Sequence, residues 1–479
     1  MEKLPKLTFD QDPLKESLGE APAVLAKRKP VDPAPWCPTS VLFQEEQKDP
    51  SCNPDFPKTI TYKDILTAYR AISEEIPRTP LVRSKCCAEF DMEIFYKVEI
   101  FYQTGSYNER KAFYALSVLN EDEKCHGVIT ASLGNWALAL AFYGQRLGIP
   151  VTVVLPSTTP VYVVGKCHEL GAFVVSYGET LDDARRQAFV MLKKRGQVYI
   201  NGYDNPNVIA ASASIGIEIL EQLPETDAII VPVGGGGLLA GISAAVKHIK
   251  PGILVYGVQT KTSSSFYNAM EKGRPYQTVV TRNLATSLIV PTAGYNAFHT
   301  ARGLIDKMVL VNDDCISRAM LHLVEEEKLI VEGAGAASLA TFMSMPNILP
   351  ELRKKTVVCV LTGGNIDTLI LPRCLERAKI IEGRIVKLSV RLSLDEPWEH
   401  LKVLSMIANV GANVIQYLSE KPLLDDDFDK TYLKVLCETR DIGHACTLKR
   451  VMERLFPNKC QFYEEPYRPV PICACFPRR

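Results

Sequence analysis

From Ile60 onward the chain alternates apolar runs of strand length with amphipathic stretches of helix length. The runs fall at residues 127–130, 151–155, 173–176, 228–233, 253–258, 307–311 and 357–361. Most are apolar at nearly every position rather than at every second one, as strands covered on both faces require. Between them, residues 181–194 and 316–326 space their apolar side chains three and four apart, which predicts helices with one buried face. Buried parallel strands separated by helices predict an open, doubly wound α/β architecture, and such sheets take ligands at the carboxyl ends of their strands.

The pattern breaks at both ends of this region. Residues 1–58 are proline-rich and aperiodic (Lys29-Pro30-Val31-Asp32-Pro33-Ala34-Pro35), which predicts an irregular arm. Near Glu382 the alternation changes: 384–394 has strand periodicity, 398–410 has helix periodicity, and 413–418 is strand-like again. Residues 430–438 and 444–455 then repeat strand and helix. This βαββαβ-like order predicts a small ferredoxin-like α+β unit. The expected organisation is therefore an arm at 1–58, a main α/β domain at 59–380, a small domain at 383–456 and a tail at 457–479.

Composition narrows the function classes. The 479 residues are 47% hydrophobic and 23% charged, the balance of a globular protein with large cores. Lys plus Arg and Asp plus Glu both number 55, so no net field favours nucleic acid or an anionic membrane. No secretory leader and no membrane-length apolar run is seen, so a cytoplasmic protein with reduced thiols is expected. The 14 cysteines are scattered and the seven histidines lack ligand spacing, so no metal site is expected.

Chemistry enters at Val231-Pro232-Val233-Gly234-Gly235-Gly236-Gly237-Leu238. A buried strand runs into four glycines and then a helix, so backbone N–H groups can close around an anion at the positive end of the helix dipole. Phosphate is the anion this arrangement suits, and a plain tight turn is the alternative.

Three further segments bear on which phosphate: Gln103-Thr104-Gly105-Ser106-Tyr107-Asn108-Glu109-Arg110-Lys111-Ala112, Ala131-Ser132-Leu133-Gly134-Asn135-Trp136-Ala137, and Leu361-Thr362-Gly363-Gly364-Asn365. They resemble, in order, the Ser-Phe-Lys-x-Arg-Gly, Ser-x-Gly-Asn-His and Ser-Gly-Gly-Asn segments of the serine/threonine dehydratase and serine racemase family. With the tetraglycine loop and Val331-Glu332-Gly333-Ala334-Gly335-Ala336, all five stand in the family's order. The resemblance covers roughly residues 60–380 and implies the fold type II architecture of pyridoxal-phosphate (PLP) enzymes, with two lobes of open parallel sheet. From Gly383 onward the chain resembles an ACT domain, a regulatory amino-acid-binding module.

The resemblance also assigns roles. Gly234, Gly235, Gly236 and Gly237 match the phosphate cup, Asn135 the partner of the pyridoxal hydroxyl, and Thr362 the hydroxyl facing the pyridine nitrogen. The lysine that holds PLP as an imine is replaced by Asn108, whose amide nitrogen cannot form that bond. Lys111, one helical turn on, is the substitute amine to consider, with a surface or rim cation as its bland alternative. Arg110 is expected in packing or an ion pair. Leu133 and Trp136 stand where the family faces the substrate carboxylate, and Ser212, Ser214, Gln259 and Ser287 also depart from its pattern. In the small unit Trp398 occupies a position where ACT domains have glycine, which implies packing or oligomerisation in place of effector binding.

Two functions follow. One is a PLP-dependent L-serine/L-threonine ammonia-lyase, impaired by the loss at residue 108. The other is a pseudoenzyme that keeps the fold and ligand binding as a regulatory subunit. A small amino acid is the expected ligand of either, PLP the possible and non-covalent cofactor, and a homo-oligomer the expected state.

Overall fold

The computed structural model describes residues 49–85, 91–343, 349–421 and 429–463. The first 48 residues of the expected arm and most of the expected tail lie outside them. The arm's last residues are irregular but docked: Asn296 donates from Nδ2 to the Ser51 carbonyl at 2.8 Å and accepts the Lys58 N–H on Oδ1 at 2.7 Å.

Three sheets organise the chain. Strands β1 (Leu81–Arg83), β2 (Glu93–Val98), β7 (Ala228–Pro232), β8 (Leu254–Thr260), β9 (Lys307–Val311) and β10 (Thr356–Leu361) form one, in the order β1-β2-β10-β7-β8-β9. All neighbours in it are parallel except the β1–β2 pair. Strands β3 (Val128–Ala131), β4 (Val151–Leu155), β5 (Phe173–Ser176) and β6 (Val198–Tyr199) form a second, wholly parallel sheet, in the order β5-β4-β3-β6. Each sheet centres one lobe, as expected of fold type II. The strands β3, β4 and β7 are buried at every residue, because helices cover both faces.

Helix ends follow local chemistry. The helix Leu181–Arg195 opens on a capping box, with the Thr180 side chain accepting the Asp183 N–H, and closes on Gly196 in the left-handed conformation. Lys193, Lys194 and Arg195 occupy its last turn, where the dipole favours cations. One expected helix is interrupted. The α-helix Asp313–His322 passes into a π-turn at Leu323–Glu327, ended by Lys328 at φ 63°. The turn places Glu325 in an ion pair with Arg384 (2.6 Å) and Glu327 at the Ser84 hydroxyl (2.6 Å).

After residue 384 the third sheet begins. Strands β11 (Ile385–Ser393), β12 (Asn413–Glu420), β13 (Lys430–Glu438) and β14 (Cys460–Phe462) pair antiparallel in the order β12-β13-β11-β14. With the helices Trp398–Asn409 and Ile442–Leu455 this is a βαββαβ arrangement, its core built from Leu388, Val390, Val403, Ile407, Leu433 and Leu448. Of the two expectations for Trp398, packing inside the unit fails. The indole does not fill a space inside the unit; it is 60% exposed at the first turn of its helix, with Leu401 exposed beside it.

Candidate active site

The carboxyl ends of β3, β7 and β10 meet around one cavity of about 110 Å³, continuous in its lining with an outer cleft of about 980 Å³. Leu133, Gly134, Asn135, Ser287 and Glu332 border both, so the cleft leads into the chamber. The cleft has the size of a small-molecule site, roughly 300–1,000 Å³, and the chamber is a narrow extension of it. All the residues the sequence nominated converge here: Asn108, Lys111, Asn135, Gly234 to Gly237 and Thr362 line the inner chamber.

The glycine loop follows β7 and opens the helix Gly237–Ile249. Gly236 has φ 102°, and a Cβ there would meet the Phe266 ring at 2.2 Å. At Gly235 a Cβ would strike the Tyr203 ring, and at Gly237 the Tyr203 carbonyl oxygen, each at 2.2 Å. Gly234 is looser; its nearest neighbours would be the Ser287 carbonyl oxygen and a Val290 methyl at 3.4 Å.

Opposite the loop, Tyr107 N–H donates to the Thr362 carbonyl at 3.1 Å and launches the helix Asn108–Ser117. Asn108 is buried and donates from Nδ2 to Ser106 Oγ at 3.1 Å. Arg110 and Lys111 leave this helix in different directions. Arg110 is fully buried among Glu99 (Nε to Oε2, 2.9 Å), Glu218 (Nη2 to Oε2, 2.8 Å), Thr79 and Ser214. Lys97 closes the network on Glu218 at 2.7 Å. Burial pulls the guanidinium's pKa down, but the two carboxylates outweigh it and raise it well above its ordinary value. The ion-pair expectation for Arg110 holds.

Lys111 is not the surface or rim cation of the bland expectation. It is 3% exposed, because Tyr107, Trp136 and Gly202 enclose its side chain. Its Nζ donates to the Gly202 carbonyl at 2.9 Å and to Tyr107 Oη at 3.2 Å, and lies 4.4 Å and 5.2 Å from the Tyr107 and Trp136 ring centroids. Burial alone moves its pKa down to about 7.

Glu332 has no role in the sequence reading beyond its place in a motif. It is buried in the chamber wall, accepts Asn135 Nδ2 on Oε1 at 2.7 Å and is bonded by the Ser287 hydroxyl; burial outweighs these donors and lifts its pKa to about 7. Asn135 Oδ1 in turn accepts Asn365 Nδ2 at 2.9 Å. The only signal for Glu332 in the sequence is an acid directly before a Gly-Ala-Gly-Ala helix start.

The remaining departures have structural occupations. Trp136 donates from Nε1 to Thr130 Oγ1 at 2.8 Å, and Ser132 Oγ accepts the N–H groups of Gly134 and Ala137, capping the helix Asn135–Leu147. Gln259 bridges the Gly234 carbonyl and the Tyr267 N–H at 3.3 and 2.8 Å. Ser212 bonds the Val208 carbonyl one turn back in its own helix, and Ser214, which opens the next helix, bonds the Ala211 carbonyl of the preceding one. Among the described residues no group of three His, Cys, Asp or Glu side chains could hold a metal ion, and no helix is long and apolar enough to cross a membrane.

A sheet-end chamber with a glycine loop at a helix N-terminus is the arrangement in which α/β proteins take phosphate-bearing ligands, and the family follows from comparison. The model of the pyridoxal-phosphate dependent enzyme family matches residues 72–363, and the chain belongs to that family. It is 33% identical over 394 residues to an L-threonine ammonia-lyase of Thermotoga maritima, covering 82% of this chain and 97% of that one. Among solved structures, the processed form of threonine deaminase isoform 2 from Solanum lycopersicum aligns with a TM-score of 0.62 at 30% identity, covering 67% of this chain and 96% of that one. Serine racemase from Dictyostelium discoideum gives 0.60, also at 30% identity, covering 65% and 100%. Pyridoxal phosphate is the cofactor of this family.

Proposed function

We propose that this chamber binds PLP together with a small α-amino acid of the threonine–serine class, and that the β-elimination its relatives are named for is crippled at residue 108. One observation carries the reading: the glycines that would cup the phosphate line the chamber, while Asn108 presents an amide to Ser106 where the resemblance places an amine. The residues present suit the cofactor. Gly234 to Gly237 offer backbone N–H groups at the start of a 13-residue helix, and Thr362, a hydroxyl-bearing residue, and Asn135 line the chamber. Bound there, PLP would supply the electron sink for bond cleavage at the amino acid's α-carbon. The chain's own part is to hold the phosphate, exclude water with Trp136, Leu133 and Tyr203, and keep a proton on Glu332 near neutrality.

Equilibrium dialysis with PLP, competed by inorganic phosphate, tests binding. Release of 2-oxobutanoate from threonine tests the chemistry, with free PLP as background. We expect saturable binding, turnover close to that background, and a gain of at least about tenfold in Asn108→Lys. Turnover in the unaltered protein far above background, with no gain in the variant, would overturn the degenerate part of the reading.

The regulatory-subunit reading is favoured by the C-terminal unit. Its βαββαβ order supports an ACT-like module behind a main domain at 59–380, and because β14 (Cys460–Phe462) pairs with β11 the module reaches past the expected end at 456. The edge strand β12 exposes Ile415, Tyr417 and Leu418, and Trp398 and Leu401 are exposed on the same unit, which supports a homo-oligomer. Light scattering at micromolar concentration tests it; a monomer would refute it.

A further inference from the structure

We propose that Lys111 is the amine this chamber offers to the aldehyde of PLP, three residues along the helix from the position that lost it. The inference deepens the functional reading above and rests on it. Residues 108 and 111 lie on neighbouring positions of one helix face, separated by a rise of about 4.5 Å. A lysine side chain is long enough to cover that offset, and this one turns into the chamber that Gly234 to Gly237 and Thr362 also line.

Its surroundings are those of a reactive amine, not of a structural cation. Nζ touches two neutral oxygens and two aromatic faces, and no carboxylate among the described residues pairs with it. Arg110, the preceding residue, has two carboxylates. The oxygen nearest Lys111 Nζ belongs to Gly202, and the next residue, Tyr203, packs its ring and carbonyl on the glycine loop. Lys111 is therefore tied to the segment that backs the phosphate cup. A pKa near 7 leaves a substantial neutral fraction at physiological pH, so a lone pair is available without a separate base.

The step balances without a further reagent. The Nζ lone pair attacks the aldehyde carbon; the C=O bond gives way to C=N, and the oxygen leaves as water with the two protons that nitrogen gives up. Tyr107 Oη, which accepts from Nζ before condensation, carries a hydrogen that can be donated to the imine nitrogen afterwards.

The full chain is incubated with PLP, reduced with borohydride, digested and mapped by mass spectrometry. We expect one pyridoxyl group per chain on Lys111, suppressed by excess pyridoxamine phosphate, which fills the site but has no aldehyde. Lys111→Met should abolish that label yet still bind pyridoxamine phosphate in dialysis, and Asn108→Lys/Lys111→Met should move the label to residue 108. Saturable binding of PLP with no label on Lys111 would overturn this proposal and leave the functional reading standing, with Lys111 a counter-charge only. Absence of saturable binding of either compound would overturn both.

Discussion

Arg110 and Lys111 are adjacent in sequence, both cationic and both buried, yet the protein treats them in opposite ways. Behind the helix Asn108–Ser117, Arg110 and Lys97 face Glu99 and Glu218, two positive charges against two negative ones. In front of it, Lys111 has no compensating charge among the described residues and is held by a carbonyl, a phenol and two rings. Burial lowers both pKa values, but only at Arg110 do neighbouring carboxylates reverse the effect. Compensation marks a charge kept for the fold. Its absence marks a group whose burial costs stability and must be accounted for by what it binds.

The largest expected effect lies behind the helix. Arg110→Met should cost about 3–5 kcal/mol in urea unfolding, because it leaves Glu99 and Glu218 buried with one cation fewer. A loss under about 1 kcal/mol would mean the network is not the compensated one described. In front, the sign inverts. Lys111→Met should stabilise the ligand-free protein by roughly 2–4 kcal/mol at pH 7. The unfolded lysine, with a pKa of about 10.4, takes up its proton as pH falls to 10, whereas the folded one waits until about 7. The penalty therefore builds up as pH falls through that window, and the variant's advantage should shrink to nothing above it. A pH-independent difference would remove burial of charge as its cause.

Glu332→Gln carries the mirror-image sign at smaller size. A carboxyl with its folded pKa raised to about 7 is stabilising while protonated, and loses ground as pH rises from the ordinary carboxylate range through 7. The glutamine variant should match the parent near pH 4 and exceed it by roughly 1–3 kcal/mol at pH 8. Equal stability at both pH values would show the carboxyl is better solvated than its position implies. Gly237→Ala should destabilise by about 1–3 kcal/mol through its clash with the Tyr203 carbonyl, while Gly234→Ala should leave unfolding nearly unchanged and weaken PLP binding. If both variants bind PLP as the parent does, the loop is not the phosphate cup.

Much of this architecture is legible in the sequence, and for a definite reason. Strands such as β4 and β7, apolar at nearly every position, can only be sandwiched between layers, and glycines after a buried strand constrain the turn that follows. The main sheets and the chamber at their ends follow from such local signals. Local signals fail where an environment is assembled from distant segments. Nothing near Lys111 in the sequence says that Gly202 and Trp136 will enclose it, and nothing near Glu332 places Asn135 and Ser287 on its carboxylate. At Trp398, matched to a glycine position, packing and oligomerisation were both open, and the first turn of its helix leaves the indole in solvent, which removes only packing inside the unit. The π-turn at Leu323–Glu327 had no sequence mark either, since its apolar spacing reads as continued α-helix.

The Tyr203 ring and carbonyl against the glycine loop have a consequence for how descent should be read from this site. Three of the four glycines are demanded by neighbours inside the protein, at Gly235 and Gly237 by Tyr203 and at Gly236 by Phe266. A lineage that abandoned the phosphate altogether would still be penalised for replacing them, so their survival records the geometry of the turn rather than its present use. Gly234 is under no such pressure. It is the position free to drift once the ligand is gone, and its glycine is the one that testifies to an occupant.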